Sequence, residues 1–158
     1  MTGIWGARVM RRFFAMFLGL ACLAALAACS HSAPPPTGRW EGTYESSDTI
    51  IAARLEITPK GQIFLSAPNA ENIAPSDDRA AIQRRLAQGL AAGWDSVQPV
   101  KLDFDGKTFR KPDGIAPQAE WAADAQTMTL IVYLGRGDGI RIAMRPVKTF
   151  SANPFARS

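Results

Sequence analysis

The chain has 158 residues and a formal net charge of +4, from 18 lysines and arginines against 14 acidic residues. This length accommodates one domain and little else. All charged side chains before Glu41 are arginines, and without residues 1–28 the balance is 15 basic against 14 acidic residues, or +1. Because that remainder has no dense basic stripe, the composition argues against nucleic-acid binding.

A leader precedes the domain. Arg8, Arg11 and Arg12 are followed by a run without charged residues, 13–28. As a helix this run would be about 24 Å long, shorter than the roughly 30 Å hydrocarbon core of a bilayer. The arrangement is therefore typical of a cleavable signal peptide over residues 1–28, with the arginines on the cytoplasmic side.

The leader ends in Leu26-Ala27-Ala28-Cys29. This sequence resembles the lipobox of bacterial lipoproteins, in which a branched apolar residue and two small residues precede an invariant cysteine. The resemblance implies cleavage between Ala28 and Cys29, lipidation of Cys29, and attachment to a membrane through that lipid. Cys22 lacks a branched residue three positions before it, so Cys29 is the better site. The alternative is an ordinary secretory signal cut after Ala28.

Residues 29–37 are predicted to form a tether between the lipid and the domain. The run Pro34-Pro35-Pro36 favours extended polyproline II and shows no apolar periodicity. In lipoproteins of Gram-negative cells, Ser30 after the cysteine would imply the outer membrane. The resemblance thus implies a cell-envelope protein facing the periplasm.

Residues 38–150 are predicted to form one β-rich domain, followed by a tail at 151–158. Alternating apolar residues indicate strands with one buried face. The first strand, Arg39 to Ser46, places Trp40, Gly42 and Tyr44 on one side. The second covers Thr49 to Thr58, and the turn Pro59-Lys60-Gly61 leads to a third over Gln62 to Ala67.

One helix interrupts the strands. Ser76 is a plausible N-cap, Asp77 and Asp78 would lie in the first turn, and Gly93 can end the helix. Ile82, Leu86 and Leu90 form a narrow apolar stripe. This pattern predicts a helix packed against the sheet, with a mobile lid over a cavity as the alternative.

Further strands follow the helix. Val100, Leu102 and Phe104 alternate with polar residues, and Asp105-Gly106 favours a tight hairpin. Trp121 lies in the next short strand. The predicted strands after the helix are residues 100–104, Lys107 to Lys111, the strand of Trp121, Thr127 to Leu134, and Ile140 to Val147.

About eight strands in a meander, with the helix after the third, predict a mainly β antiparallel barrel, because an open sheet would leave two edges exposed. Gly38-Arg39-Trp40 resembles the Gly-x-Trp motif of lipocalins and their calycin relatives, and residues 38–44 make up the sequence-level match. The resemblance implies an eight-stranded barrel that is plugged by the tryptophan at its closed end and binds small apolar ligands at its mouth. In that family a late basic residue packs over the tryptophan. Here Lys148, but not Arg141 or Arg145, is in phase with the inward residues.

A half-barrel or a two-layer α+β sheet is the alternative fold. Ile131 and Tyr133 lie on the face opposite Met128, Leu130 and Val132, so this strand is apolar on both sides. Something must cover its outer face, and the helix is the nearest candidate.

The sequence favours a protein that is not an enzyme and has no metal or cofactor. It contains no Gly-x-Ser-x-Gly, His-Glu-x-x-His, phosphate-loop or CxxC motif, and its single histidine, His31, lies in the tether. Asp103 and Asp105 share one face of one strand and are expected to point to water.

Two classes of function remain. In the first, the domain binds a small apolar molecule or lipid, with Trp40, Tyr44 and Trp121 lining the cavity. Their alternative role is core packing, because side chains can fill a narrow barrel. In the second, the domain is an envelope interaction module, an assembly accessory or inhibitor that presents the loops Lys111 to Pro117 and Gly135 to Gly139 to a protein partner.

Overall fold

The computed structural model describes residues 34–135 and 137–156. These residues form ten antiparallel strands, one α-helix and one short 3-10 turn. The strands are β1 (Gly38–Glu45), β2 (Ile50–Ile57), β3 (Ile63–Ser66), β4 (Asn69–Ala70), β5 (Pro99–Val100), β6 (Asp103–Phe104), β7 (Thr108–Arg110), β8 (Pro117–Ala122), β9 (Thr127–Val132) and β10 (Ile140–Val147). The helix α1 spans Arg79–Gly93, and the 3-10 turn spans Trp94–Ser96.

The strands form one sheet in the order β5-β3-β2-β1-β10-β9-β8-β7-β6, with β4 paired to β2. The first strand therefore lies beside the last. The sheet curls into a half-barrel, which confirms the mainly β class and the half-barrel alternative.

The two edges of the sheet, β5 and β6, are consecutive in the chain and separated only by Lys101 and Leu102. The single strand predicted over residues 100–104 is thus divided, since Val100 pairs with Ile63 of β3 and Phe104 with Phe109 of β7. No ladder joins β5 to β6 within the described ranges. Three residue steps keep the two edges within about 11 Å of each other.

Strand β10 forms a corner of the sheet, where it changes its pairing partner. Residues 140–144 pair with β9, whereas residues 145–147 pair with β1. Gly42 of β1 lies so close to this corner that a Cβ there would stand 2.7 Å from both the Ala143 carbonyl oxygen and the Met144 sulfur. A glycine at this position lets the two strands meet.

The inner face of the curled sheet holds the main core. Trp40, Leu55, Phe109 and Met128 are each at most 4% exposed within it. The remaining buried members are Ile51, Ala53, Ile57, Ile63, Ala119, Leu130, Ile142 and Met144. The alternation expected for β1, β2, β9 and β10 therefore sets which side chains turn inward.

The helix α1 covers the outer face of β2, where Ile50 and Ala52 are fully buried against Leu86 and Leu90. The predicted stripe is confirmed. Its predicted location over the strand of Ile131 is wrong. The backbone of Gly139 instead lies against Ile131 and Tyr133, so closely that a Cβ would overlap them.

The N-cap of α1 is Asp78, whose side chain accepts a hydrogen bond from the Ala81 amide at 3.0 Å. The prediction of Ser76 is wrong by two residues. Asp77 does not cap the helix. Its carboxylate accepts a hydrogen bond from the Ala74 amide at 2.8 Å and closes a turn before the helix.

Candidate functional site

The structure explains why a glycine stands two residues before Trp40. Gly38 has φ +147°, a conformation that side chains with a Cβ rarely adopt, and a Cβ there would stand 3.3 Å from the indole of Trp40. The Trp40 ring thus folds back over the start of β1 and enters the core. Glycine at residue 38 makes this approach possible.

Trp40 and Trp121 are partners at this end of the sheet. Their ring centroids are 6.1 Å apart with the planes at 71°, an edge-to-face arrangement. Trp40 is only 4% exposed, whereas Trp121 is partly buried and packs against the same core. The Trp121 amide donates to the carbonyl of Lys107 at 2.7 Å and fixes its strand.

An open depression of about 650 Å³ lies beside the two rings, and we call it the Trp40 depression. Strand ends and the chain that enters β1 build its walls. It is lined by Pro34, Pro35, Pro36, Thr37, Gly38, Arg39, Trp40, Trp121, Gln126, Pro146, Val147 and Lys148. The prolines predicted as a tether therefore form part of a surface together with both tryptophans.

Arg39 fixes one side of the Trp40 depression. Its Nε donates to Glu56 Oε1 at 3.0 Å, and its Nη1 donates to the Lys148 carbonyl at 3.3 Å. The guanidinium also stands 5.9 Å from the ring centroid of Phe150. Together these contacts fasten the chain immediately after β10.

Tyr44, the third predicted lining residue, does not belong to this depression. It lies near the other end of β1 and packs against the main core. The structure thus brings Trp40 and Trp121 together and places Tyr44 apart. Between them the inner face is filled by side chains such as Phe109 and Leu130.

Sequence reasoning missed a group of charges, the Glu41 cluster, which consists of the buried Glu41 and Arg54 and the partly exposed Arg145. Glu41 faces Arg54 of β2 and Arg145 of β10 in the two ladders that flank it. Arg145 Nη2 donates to Glu41 Oε1 at 2.7 Å, and the Ser151 amide and hydroxyl donate to Oε2 at 3.0 and 2.9 Å. Glu41 is only 1% exposed.

Arg54 ties the Glu41 cluster to the helix end and the C-terminal segment. It is 4% exposed and donates to the carbonyls of Leu90 and Ser151 at 3.3 and 2.6 Å. Its guanidinium lies 4.9 Å from the Phe150 centroid and 6.0 Å from that of Trp94. Phe150 at the end of the predicted domain and Ser151, the first residue of the tail predicted over 151–158, are thereby held against the sheet.

The pKa of Glu41 is lowered. Burial raises this pKa, but the hydrogen bonds from Ser151 and Arg145 and the charge of Arg145 together outweigh it. Burial lowers the pKa of Arg54, and the Glu41 charge opposes that effect. The cluster therefore holds an ionised carboxylate between two cations.

The two carboxylates of the β6–β7 hairpin were expected to point to water. Asp103 and Asp105 are exposed. Asp105 accepts hydrogen bonds from Thr108 and from the amide of Lys107, which lower its pKa to about 2 and close the hairpin predicted there. Among the described residues no group of three or more histidines, cysteines and acids could hold a metal.

The residues predicted for lipidation and cleavage, Ala28 and Cys29, lie outside the described ranges, as does the signal peptide. In the part of the chain that the structure describes, no helix is both long and apolar enough to cross a membrane.

Comparison with known proteins adds no relative. No family model, no curated protein and no solved structure shows a significant match to this chain.

Proposed function

We propose that this protein is a cell-envelope lipoprotein, anchored in the outer membrane of a Gram-negative cell by lipid on Cys29, whose domain binds a small apolar molecule or lipid. The observation that carries the binding role is the Trp40 depression. Its volume of about 650 Å³ falls within the roughly 300–1,000 Å³ typical of small-molecule sites. Two indole rings and four prolines supply an apolar lining.

The location of the depression supports the link between anchor and ligand. Pro34–Pro36 form one wall, and only a few residues separate Pro34 from Cys29. A lipid-anchored domain would therefore hold this surface within a short chain length of the bilayer. Each buried methylene of the anchor contributes about 0.8 kcal/mol, so two or three acyl chains retain the protein firmly.

The anchor is tested by Cys29→Ser, with Cys22→Ser as the matched control. Cys29→Ser should leave the leader uncleaved by the lipoprotein peptidase and abolish incorporation of radiolabelled palmitate, whereas Cys22→Ser should retain both. Unchanged processing and labelling in Cys29→Ser would contradict the lipid anchor.

The binding role is tested on the mature protein, transferred from detergent to an amphipol so that the depression is accessible. Titration with dodecanol should change tryptophan fluorescence, because Trp121 lies at the surface of the depression. Trp121→Phe should weaken the response, and Trp94→Phe, on the opposite face of the sheet, should retain it. No saturable response in the unaltered protein would contradict ligand binding at this site.

A second candidate function, an envelope interaction module, is favoured by one observation. Ile115 is 95% exposed at the tip of the loop between β7 and β8. The loop has a fixed shape, since Gly114 donates to the Lys111 carbonyl at 2.8 Å, Tyr133 to that of Pro117 at 3.0 Å, and Arg110 to that of Ile115. An open groove of about 410 Å³, lined by Val100, Leu102 and Pro112 among others, lies beside it.

A photocrosslinking residue at position 115 in intact cells tests this candidate, and the same residue at exposed position 60 is the control. A protein captured specifically from position 115 would support an interaction module. Equal labelling from both positions would count against it.

A further inference from the structure

We propose that the ligand of the Trp40 depression is an amphipathic anion, a carboxylate or phosphate ester with an apolar body, and that Lys148 binds its charged group. This inference rests on the binding role proposed above and names the chemical class of the ligand. Its support is the charge of the residues that line the depression, together with the ion pairs and hydrogen bonds that each charged side chain makes.

The lining combines apolar rings with polar groups, and its charged side chains are cationic. None of its twelve residues is acidic, and two, Arg39 and Lys148, are cationic. Glu56 stands beside the lining and pairs with Arg39, so the uncompensated positive charge is that of Lys148. A cation beside an apolar surface favours a ligand that combines a negative group with a hydrocarbon or aromatic body.

The two cations differ in availability. Arg39 is committed, because it pairs with Glu56 at 3.0 Å and donates to the Lys148 carbonyl. Lys148 is exposed, and no described carboxylate lies within ion-pair distance of its ammonium group. Lys148 is therefore the lining cation that remains for an anionic ligand.

The backbone of Lys148 is positioned for this role. Pro146 restricts the chain before it and stands opposite Trp40 in the β1–β10 ladder. Arg39 holds the Lys148 carbonyl from the neighbouring strand. Lys148 is thus a positioned residue at the boundary between the indole surface and solvent, where a charged group and an apolar body would meet.

The test compares three ligands that each contain twelve carbons in a straight chain: dodecanoate, dodecyl phosphate and dodecanol. Each is titrated at neutral pH into the mature protein in amphipol, with tryptophan fluorescence as the readout. Both anions should bind about tenfold more tightly than the alcohol, because a charge-assisted hydrogen bond replaces a neutral contact. The tighter of the two identifies the headgroup as carboxylate or phosphate.

Variants assign the preference to one residue. Lys148→Ala should abolish the preference for the anions, Lys148→Arg should retain it, and Lys101→Ala, an exposed lysine elsewhere, should leave it unchanged. Circular dichroism confirms that each variant is folded.

The outcomes separate the two proposals. Equal affinity for anions and alcohol, or a preference that survives in Lys148→Ala, would overturn this inference and leave apolar ligand binding intact. Absence of saturable binding by all three ligands would overturn both.

Discussion

Trp40 and Glu41 are neighbours on β1, and they are buried on opposite faces of the sheet by different means. Trp40, 4% exposed, is enclosed by apolar side chains that the curling of the sheet brings together. Glu41, 1% exposed, is enclosed by Arg145, Ser151 and the segment that follows β10. The inner face is thus buried by the sheet itself, and the outer face depends on a covering segment.

Trp40 and Glu41 together also fix the register of β1 with β2 and β10. A buried carboxylate is costly unless it is paired. Sliding β1 by one residue would turn Glu41 toward the apolar interior and Trp40 toward Arg54 and Arg145. The two faces therefore specify the same alignment of three strands, one by apolar fit and the other by charge.

The largest expected effect is on the inner face. Trp40→Ala should lower the free energy of unfolding by about 3–5 kcal/mol, since it removes a large core side chain and leaves a cavity. Chemical denaturation of the mature protein measures this. Trp94→Ala, on the outer face and only partly buried, is the control and should cost less. Equal stability of Trp40→Ala and the unaltered protein would show that Trp40 does not stabilise the core.

Removal of the outer-face charge should have the next largest effect. Glu41→Gln keeps the shape but leaves Arg54 and Arg145 without a buried counter-charge, at a cost of about 2 kcal/mol. Glu45→Gln changes an exposed carboxylate on the same face of β1, whose partner Arg79 is 3.5 Å away, and should cost at most about 0.5 kcal/mol. If the two variants lose the same stability, the Glu41 cluster does not stabilise the fold.

A smaller effect is expected from the covering segment. Ser151→Ala removes the hydroxyl that donates to Glu41 at 2.9 Å and retains the amide that donates to the same oxygen. The expected loss is about 1 kcal/mol. Ser47→Ala, at an exposed position, should be neutral, and proteolysis of the last eight residues should accelerate only in Ser151→Ala.

The smallest expected effect is the pH dependence of the stability that Glu41 contributes. Because the pKa of Glu41 in the folded protein lies below its ordinary value of 4.5, its contribution to stability is present above pH 4.5 and is lost as the pH falls through the folded pKa. Glu41→Gln should lack this component, so its stability difference from the unaltered protein should shrink as the pH falls below 4.5. Asp48, Asp105 and Glu120 also have lowered pKa values, and they contribute equally to both proteins. A difference that is constant with pH would contradict the assignment.

Alternation along the strands predicted the inner face, because apolar residues two apart must share one side of a strand. The same alternation puts Glu41 on the side of β1 opposite Trp40, where a charged residue is normally exposed. Only the register shows that Glu41, Arg54 and Arg145 stand side by side, and register is not encoded in the local pattern of one strand.

The position of the helix could have been inferred from a different strand. Ile50-Ile51-Ala52-Ala53 is a continuous apolar run, the usual mark of a strand buried on both faces, and it lies under α1. The strand of Ile131 is also apolar on both faces, but there the backbone of Gly139 covers the outer face and no helix is needed.

The candidate site was only partly predictable. Trp40 and Trp121 were singled out as large aromatic residues, and the structure places them in contact. The proline wall was not predictable as part of this surface, since residues 34–36, 121 and 146–148 come together through the ladders that join β1, β10, β9 and β8.

The pairing of the first strand with the last has a consequence for how this chain acquires its fold. Glu41 and Arg145 are 104 residues apart, and Ser151 lies farther still, so β1 has only one of its two neighbours until almost the whole chain is present. Contacts of such long range slow folding. Until β10 and Ser151 are in place, the carboxylate of Glu41 lacks the donors that offset its burial, so β1 gains its full set of partners late in folding.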